Sequence, residues 1–198
     1  MKKSLTILST ILICLAVLTS CTSGETKANE KIAAIEKKGE NEGTPLFNFV
    51  QSYLNQNPDF FNNSIIQEKK TLDMDKRFQE QIKAGILKDM VFDFLLINQD
   101  YKNNTNHTAT FTTTVREKDS LFSFTVFVDA PLNDSIVAKL KEFESYKLEG
   151  KFSLGAEEFG SNIKIKEELR VVNNKTTITH DMDVHDVKID LKDVTQIE

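Results

Sequence analysis

The first apolar pattern in the folded part of the chain is helical. Apolar residues recur at i, i+3, i+4, i+7 and i+8, which places them on one face of a helix: Leu46, Phe49, Val50, Tyr53 and Leu54. Thr44 is suited to cap this helix, Pro45 to its first turn, and Asn57-Pro58 to its end. The pattern therefore predicts a helix that begins near Pro45 and ends before Asn57.

A second, shorter helix is predicted over residues 74–83. Asp73 is suited to cap this helix, and Gly85 is suited to end it because glycine readily adopts the left-handed conformation that follows many helices. Phe78 and Ile82 lie one turn apart and are expected to face the core.

From residue 88 onward the period changes to two, which is typical of strands. Residues 91–97 are apolar on both faces and predict a central strand, followed by strands over 107–116 and 121–128. A helix is predicted to start at Pro131-Leu132-Asn133-Asp134. Its expected inner face is Ile136, Val137, Leu140 and Phe143.

Three more strands are predicted, over 146–152, 162–172 and 182–197, and Asn173-Asn174-Lys175 supplies the turn between the last two. Residues 44–198 are thus expected to form a single α+β domain with a mainly antiparallel sheet, preceded by two helices. Residues 21–43 mix Lys and Glu with little to bury, which predicts a flexible tether before this domain.

Two segments lie at the expected fourth and last strands. Residues 140–152 (LKEFESYKLEGKF) lead into the fourth strand, and residues 187–194 (VKIDLKDV) belong to the last one. Together with the order strand-strand-strand-helix-strand-strand, they resemble the oligonucleotide/oligosaccharide-binding (OB) fold, a small Greek-key barrel. The resemblance covers residues 88–197 and implies an OB-like barrel. Residues 154–181 form an insertion that the simplest barrel lacks, and a different α+β sheet with helices on one face explains the same pattern.

The N-terminal residues have the pattern of an export signal. Lys2 and Lys3 precede an apolar run over residues 5–17. A helix of this length reaches only about 20 Å, whereas the hydrocarbon core of a bilayer is about 30 Å thick. A cleaved signal peptide, residues 1–20, therefore explains the run better than a membrane span does.

The signal closes with Leu18-Thr19-Ser20-Cys21, which resembles the lipobox of bacterial lipoproteins. The resemblance implies cleavage before Cys21, fatty acids such as palmitate on this residue, and a membrane as partner. It places the chain on the outside of the cytoplasmic membrane, and Thr22 favours the outer membrane where two are present. An ordinary signal peptide that ends near a cysteine is the alternative. Cys14 leaves with the signal, so no free thiol remains.

The charge of the chain and the positions of its aromatic residues indicate which classes of ligand it could bind. Without the signal and its two lysines, the chain has 23 basic and 30 acidic residues, a net charge of −7. This charge opposes a phosphate backbone, and the aromatic residues fall at core positions rather than on a stacking surface. We therefore expect no nucleic-acid partner. A cation, a glycan or a peptide suits an acidic barrel groove better.

Only one compact set of metal-type ligands occurs: His180-Asp181-Met182-Asp183-Val184-His185-Asp186. On a strand, alternate residues of this segment would project to one face about 6.5–7 Å apart, which brings an imidazole and two carboxylates toward one ion. The other interpretation, which we favour, is a polar outer face opposite Met182 and Val184. We accordingly predict no metal site, no cofactor and no catalytic residue.

The residues together predict a membrane-anchored envelope lipoprotein that serves as a binding or assembly module for an envelope protein, a peptide or a small solute. The chain lacks a Gly-x-Ser-x-Gly elbow and a Gly-rich phosphate loop, which disfavours an enzyme. The alternative is a metal-dependent enzyme or hydrolase that uses the segment from His180 to Asp186.

Metabolic labelling tests the lipid anchor. Labelled palmitate should enter the wild-type chain and should not enter Cys21→Ala, because alanine offers no thiol for acylation. Cys14→Ala is the matched control and should be labelled like the wild type, since residue 14 leaves with the signal. Equal labelling of the wild type and Cys21→Ala would contradict the lipoprotein prediction.

Overall fold

Helix α1 (Pro45–Gln56) forms where apolar spacing and capping residues coincide, as predicted. The computed structural model describes residues 41–99, 107–116, 122–141, 144–155, 161–172 and 175–197. At the start of α1, the Thr44 side chain accepts a hydrogen bond from the Phe47 amide. The helix buries one face through Leu46, Phe47, Val50 and Tyr53. The signal peptide, Cys21 and the tether up to residue 40 lie outside the described residues.

Helix α2 (Ser64–Ala84) begins ten residues earlier than predicted. Asn63 caps it by accepting a hydrogen bond from the Ile66 amide at 2.9 Å, whereas Asp73, the predicted cap, lies within the helix. The first half of α2 has no continuous apolar face, and Ile65 there is 79% exposed, so periodicity does not reveal it. The predicted end is confirmed, because Gly85 adopts the left-handed conformation with φ of 92°.

Six strands form one sheet in the described parts of the chain. They are β1 (Val91–Gln99), β2 (His107–Val115), β3 (Phe122–Leu132), β4 (Ser145–Leu154), β5 (Ile163–Val172) and β6 (Lys175–Gln196). Their order is β3-β2-β1-β4-β6-β5, and β3 also pairs with β6. The strands β1, β2, β3, β6 and β4 therefore pair in a closed ring, in which β1 lies between β2 and β4. The prediction of a central strand is confirmed only in that β1 is paired on both sides, because Leu95 and Ile97 of this strand are exposed. All pairings are antiparallel except β3–β6, which is parallel.

The helix predicted after β3 is much shorter than expected. Strand β3 continues through Pro131 to Leu132, because β2 still offers partners down to His107. Helix α3 (Asp134–Val137) is a single turn capped by Asn133. Of the predicted inner face, Ile136 is buried and Leu140 packs partly against the core, while Phe143 is outside the described residues.

Strand β6 begins seven residues before its predicted start. Its first part pairs with β5 along the whole hairpin and with β3 from His180 onward, and its second part pairs with β4. Between the two parts, Asp186 adopts a left-handed conformation with φ of 59°, and the register with β3 shifts there. This bulge lets a single strand serve three partners. The predicted turn at residues 173 and 174 is outside the described residues.

Phenylalanine, with 14 residues in the chain and no tryptophan beside it, supplies much of the core. Phe60, Phe78, Phe92, Phe111 and Phe124 are almost completely buried. Phe78 of α2 meets Phe124 of β3 edge-to-face at 5.4 Å between ring centroids, and Phe49 of α1 contacts Phe78 at 5.7 Å. Both helices therefore pack on the ring of strands through Phe78. None of the helices in the described ranges is long and apolar enough to cross a membrane.

One buried carboxylate joins α2 to the base of the β5–β6 hairpin. Asp75 is 4% exposed and accepts a hydrogen bond from the backbone amide of Asn162 at 3.0 Å. The Asn162 side-chain amide lies 3.3 Å from the same carboxylate oxygen and 3.3 Å from the Gly155 carbonyl oxygen. These contacts compensate the desolvation of Asp75 and fix the helix against the strand that follows.

The close approach of β6 to Gly150 of β4 predicts a stability defect. A Cβ atom at Gly150 of β4 would lie 2.3 Å from the Asp190 carbonyl oxygen of β6, so Gly150→Ala forces the two strands apart. We expect the free energy of unfolding to fall by about 2 kcal/mol, measured by urea denaturation. Gly155→Ala is the control, because its Cβ would meet nothing closer than 3.4 Å. Identical unfolding midpoints for both variants would contradict this reading of the β4–β6 contact.

Candidate functional site

The segment from His180 to Asp186 lies on β6 and alternates between two faces. Met182 and Val184 are completely buried, as the strand interpretation predicts. Asp181, Asp183 and His185 are partly exposed on the outer face of the sheet. The sequence therefore predicted the orientation of this segment correctly.

The structure does not gather these side chains around one point. Asp181 accepts a hydrogen bond from Ser123 at 2.5 Å, and Asp183 accepts one from Lys166 at 2.7 Å. This bond to Asp183 is the main cause of a raised pKa for Lys166. Across the described ranges, no group of three or more His, Cys, Asp or Glu residues is arranged to hold a metal ion. The segment therefore has the geometry of a paired polar surface.

His185 instead stacks on an aromatic ring. Its imidazole lies almost parallel to the Phe127 ring of β3, with 4.9 Å between centroids and 12° between planes. The bulge of β6 at residues 185 and 186 places it there, because Phe127 lies where the register between the two strands shifts. The His185 amide is held by a hydrogen bond to the Asn162 carbonyl at 3.1 Å. The position of this stack is thus set by the backbone of two neighbouring strands.

Threonine and aspartate side chains surround the stack on β2 and β3. Thr112 lies directly opposite Phe127 in the register, and Thr110 donates a hydrogen bond to Asp129 at 2.7 Å. On the other side of Phe127, Thr114 and Thr125 are hydrogen-bonded at 3.0 Å. We call this outer surface the Phe127 face, defined by Thr110, Thr112, Phe127, Asp129, Asp183 and His185. It presents a stacked aromatic pair between hydroxyl and carboxylate groups.

The prediction that the aromatic residues occupy core positions is wrong for Phe127. This residue is partly exposed and does not belong to the core cluster, whereas Val126 and Val128 on either side are completely buried. The signal was present in the sequence, because the alternation of β3 places Phe127 in phase with Thr125 and Asp129. The phase of Phe127 along β3, rather than the aromatic content of the chain, indicates its outward position.

His180 belongs to the predicted segment but is separate from the Phe127 face. It stacks on Phe61 with 3.8 Å between ring centroids and 7° between planes. Its Nδ1 atom is buried without a hydrogen-bond partner, since the Glu167 carboxylate lies at 3.7 Å. Burial lowers the pKa of His180, and the nearby Glu167 and Asp181 charges oppose that shift only in part. His180 is therefore a packed, neutral side chain.

A groove of about 340 Å³ between α1 and α2 is a second candidate. Arg77 lies on one side, 5.4 Å above the Tyr53 ring, and pairs with Asp73 at 3.0 Å. The Tyr53 hydroxyl donates to the Lys70 carbonyl at 2.7 Å and lies 3.0 Å from Asp73. Burial and the Asp73 carboxylate raise the pKa of Tyr53. The polar groups at this groove satisfy one another, as those of the Phe127 face do, but no aromatic stack accompanies them.

The buried His180 predicts a pH dependence of stability. Its pKa in the folded chain lies below its ordinary value of 6.5, so below that pH the unfolded chain binds more protons and stability falls. His180→Gln should show a shallower loss of unfolding free energy between about pH 7.5 and pH 5.5 than the wild type. Urea titrations across this range measure the slope. An unchanged slope in His180→Gln would contradict the prediction.

Comparisons with known proteins identify no relative of this chain. The sequence matches no protein-family model, no curated protein sequence and no solved structure. A proposal about its function therefore has to start from the geometry of the described residues, and we start from the Phe127 face.

Proposed function

We propose that this chain is a membrane-anchored envelope lipoprotein whose ring of strands is an OB-like barrel. In this proposal the barrel serves as a binding or assembly module for an envelope protein, a peptide or a small solute. The Phe127 face is its ligand-binding surface. The carrying observation is the outward Phe127, stacked on His185 between threonine and aspartate side chains.

The pairing order of the strands supports the OB-like barrel. Three consecutive strands, β1 to β3, form a meander, and the last strand returns to lie parallel to β3 while it also pairs with β4. The single-turn helix α3 lies between the third and fourth strands, where the OB resemblance places its helix. In this description β5 is the insertion that the sequence predicted, and it adds one strand beside β6.

The position of the Phe127 face supports its assignment as a binding surface. OB domains bind ligands on the face formed by their second and third strands. Thr112 of β2 and Phe127 of β3 lie opposite each other on this surface. Full burial of a phenylalanine side chain stabilises the folded state by roughly 1.5–3 kcal/mol. Phe127 is only partly buried, so it contributes less than that to stability. The outward position of Phe127, between the buried Val126 and Val128, is consistent with a role in contacting a ligand.

The chemistry of the Phe127 face favours a neutral polar or cationic ligand. The partly exposed stack of Phe127 and His185 offers an apolar contact, and the Asp129 carboxylate beside it is a hydrogen-bond acceptor. A sugar ring offers an apolar face with surrounding hydroxyl donors, and a peptide offers amide donors and ammonium groups. An anionic nucleic acid would meet carboxylates instead of a basic groove. We therefore propose a glycan or peptide ligand and no nucleic acid.

The proposed lipid on Cys21 defines where this module acts. Two or three acyl chains anchor a protein durably, because each buried CH₂ group contributes about 0.8 kcal/mol. The tether before the domain would keep the barrel close to the outside of the cytoplasmic membrane, or to the outer membrane where one is present. The alternative of a metal-dependent enzyme has less support, because in the described ranges no three His, Cys, Asp or Glu side chains are arranged to hold a metal ion.

Thermal unfolding with and without ligands tests the binding surface. Oligosaccharides, peptides, divalent metals and single-stranded DNA are each added to the purified chain. A ligand at 100 times its dissociation constant stabilises the folded state by about 2.7 kcal/mol, which raises the unfolding midpoint visibly. We expect an oligosaccharide or a peptide to raise it in the wild type and to have little effect in Phe127→Ala.

Phe49→Ala is the matched control, because Phe49 lines the groove between α1 and α2. Its own midpoint will be lower, but its ligand-induced rise should equal that of the wild type. A rise that survives in Phe127→Ala and is lost in Phe49→Ala would move the binding surface to the groove. A rise with metal alone would favour the enzyme alternative.

A further inference from the structure

Strand β5 forms one edge of the sheet. It pairs with β6 over its whole length, and no other strand in the described ranges lies beside it. An edge strand presents main-chain donors and acceptors to which a further strand can bind, and proteins often block such an edge with lysine. The lysines of β5, Lys164 and Lys166, lie in its first half and are bonded to the Ser161 carbonyl and the Asp183 carboxylate. Lysine therefore does not block the second half of this edge.

The main-chain groups of alternate β5 residues point to the open edge. The Asn162 carbonyl, directly before the strand, accepts a hydrogen bond from the His185 amide of β6 at 3.1 Å. In a regular antiparallel pair, the residues that bond to the partner alternate with residues whose N–H and C=O groups point away from it. Glu167, Leu169 and Val171 lie an odd number of positions after Asn162, and the register with β6 does not shift between them. Their main-chain donors and acceptors therefore point away from β6.

The second half of β5 extends beyond the ring and carries an exposed apolar pair. Strand β3 pairs with β6 only from His180 onward, so no described strand of the ring lies beside the part of the hairpin before that residue. Leu169 and Ile178 lie opposite each other in this part and are 75% and 52% exposed. A strand added to this edge would cover one side of Leu169 without meeting the ring.

The hairpin has no net charge, although the chain is acidic. Residues 163–184 contain four basic and four acidic residues, whereas the whole chain has a net charge of −5. Two copies of an acidic chain repel each other, and the hairpin adds nothing to that repulsion. A strongly charged partner of either sign would gain little from it. The hairpin is thus suited to contact with a second copy of this chain.

One antiparallel register of β5 against a second copy is self-complementary. With Leu169 opposite its own counterpart, the two-fold axis places Glu168 opposite Arg170 of the other copy, and Arg170 opposite Glu168. Opposite charges at facing positions are favourable, and no like charges face each other between residues 166 and 172. On the other face of the sheet, Leu169, Ile178 and their two counterparts form one apolar row across four strands.

We propose that two copies of this chain associate edge to edge through β5, with the two-fold axis at Leu169. Residue 169 then pairs with its counterpart, and residue 167 pairs with residue 171 on either side of the axis. Each of these pairs exchanges both of its main-chain hydrogen bonds, which joins the two hairpins into one four-stranded sheet. A register centred on Glu167 is disfavoured, because Glu167 would face its own counterpart.

The two rings do not obstruct this association. Each ring lies beyond its own His180, and antiparallel pairing directs the two rings to opposite ends of the shared sheet. The inference goes beyond the proposed binding module, and it is independent of the lipid on Cys21. A strand from a different protein is the competing occupant of the edge, and the experiments distinguish it from a second copy.

Charge reversal tests the register. Sedimentation equilibrium of the purified full chain, in detergent matched to the density of the solvent, measures the dissociation constant of the dimer. We expect the wild type to dimerise with rising concentration. Arg170→Glu should raise the dissociation constant about tenfold, because two facing pairs change from opposite to like charges. Glu168→Arg combined with Arg170→Glu should restore the wild-type value.

Lys164→Glu is the matched control for charge reversal. It makes the same change of charge on the same strand but lies outside the paired segment, so the dissociation constant should not change. Equal weakening by Lys164→Glu and Arg170→Glu would overturn the register, and so would a folded double variant that is not restored. A wild type that stays monomeric at every concentration would overturn self-association and leave the edge to a different protein.

Disulfide cross-linking tests the position of the axis. Facing Cα atoms in a pair that exchanges both hydrogen bonds lie about 5.5 Å apart, which is within the range of a disulfide. Leu169→Cys should therefore cross-link to its counterpart on oxidation. Glu167→Cys is the matched control, because its side chain is 59% exposed but its two copies would lie about 13 Å apart along the strands. The wild type sets the background from Cys21.

Each result of the cross-linking decides the proposal. A disulfide dimer through residue 169 and not through residue 167 supports the axis at Leu169. Cross-linking through residue 167 and not through residue 169 would overturn this register. Cross-linking of neither variant above the wild-type background would overturn association through β5.

Discussion

The sheet depends on one long strand, β6, and on the bulge that divides it. The first part of β6 pairs with β5 and β3, and the second part pairs with β4. One strand, β6, therefore supplies hydrogen-bond partners to three others. The left-handed Asp186 makes this exchange of partners possible without ending the strand. It also brings His185 onto Phe127. Ring closure and the candidate binding surface therefore have the same structural cause.

Among the contacts that attach α2 to this ring are an aromatic pair and a polar pair. Phe78 packs edge-to-face on Phe124, and Asp75, one turn earlier on the same helix, bonds the Asn162 amide beside the β6 bulge. The apolar contact supplies burial, and the polar contact specifies register, because a displaced helix would leave a buried carboxylate unpaired. The outer Phe127 face remains clear of both helices. The arrangement thus separates the stabilising side of the ring from its exposed, polar side.

The sequence predicted elements wherever local pattern and local capping agree. Helix α1 was predicted with both of its ends, because Thr44 and Asn57 enclose a regular apolar face. The first half of α2 was not predicted, because Ile65 and its neighbours there face solvent and only Asn63 marks the start. The early part of β6 extends beyond the core, so it lacks the alternation that burial imposes. The contacts that build the site join residues far apart in sequence, such as Asp75 and Asn162, and no local pattern encodes them.

The parallel contact between β3 and β6 has a consequence for the order of synthesis and folding. Ser123 and Asp181 are 58 positions apart, and β4, which pairs with β1 on one side, finds its second partner only in the last strand. Contacts of such long range make folding slow, since the intervening loop must close before any of them forms. The ring is incomplete until the C-terminal residues have been made. A nascent chain therefore stays open through most of its synthesis, which is the state that an export channel for unfolded proteins accepts.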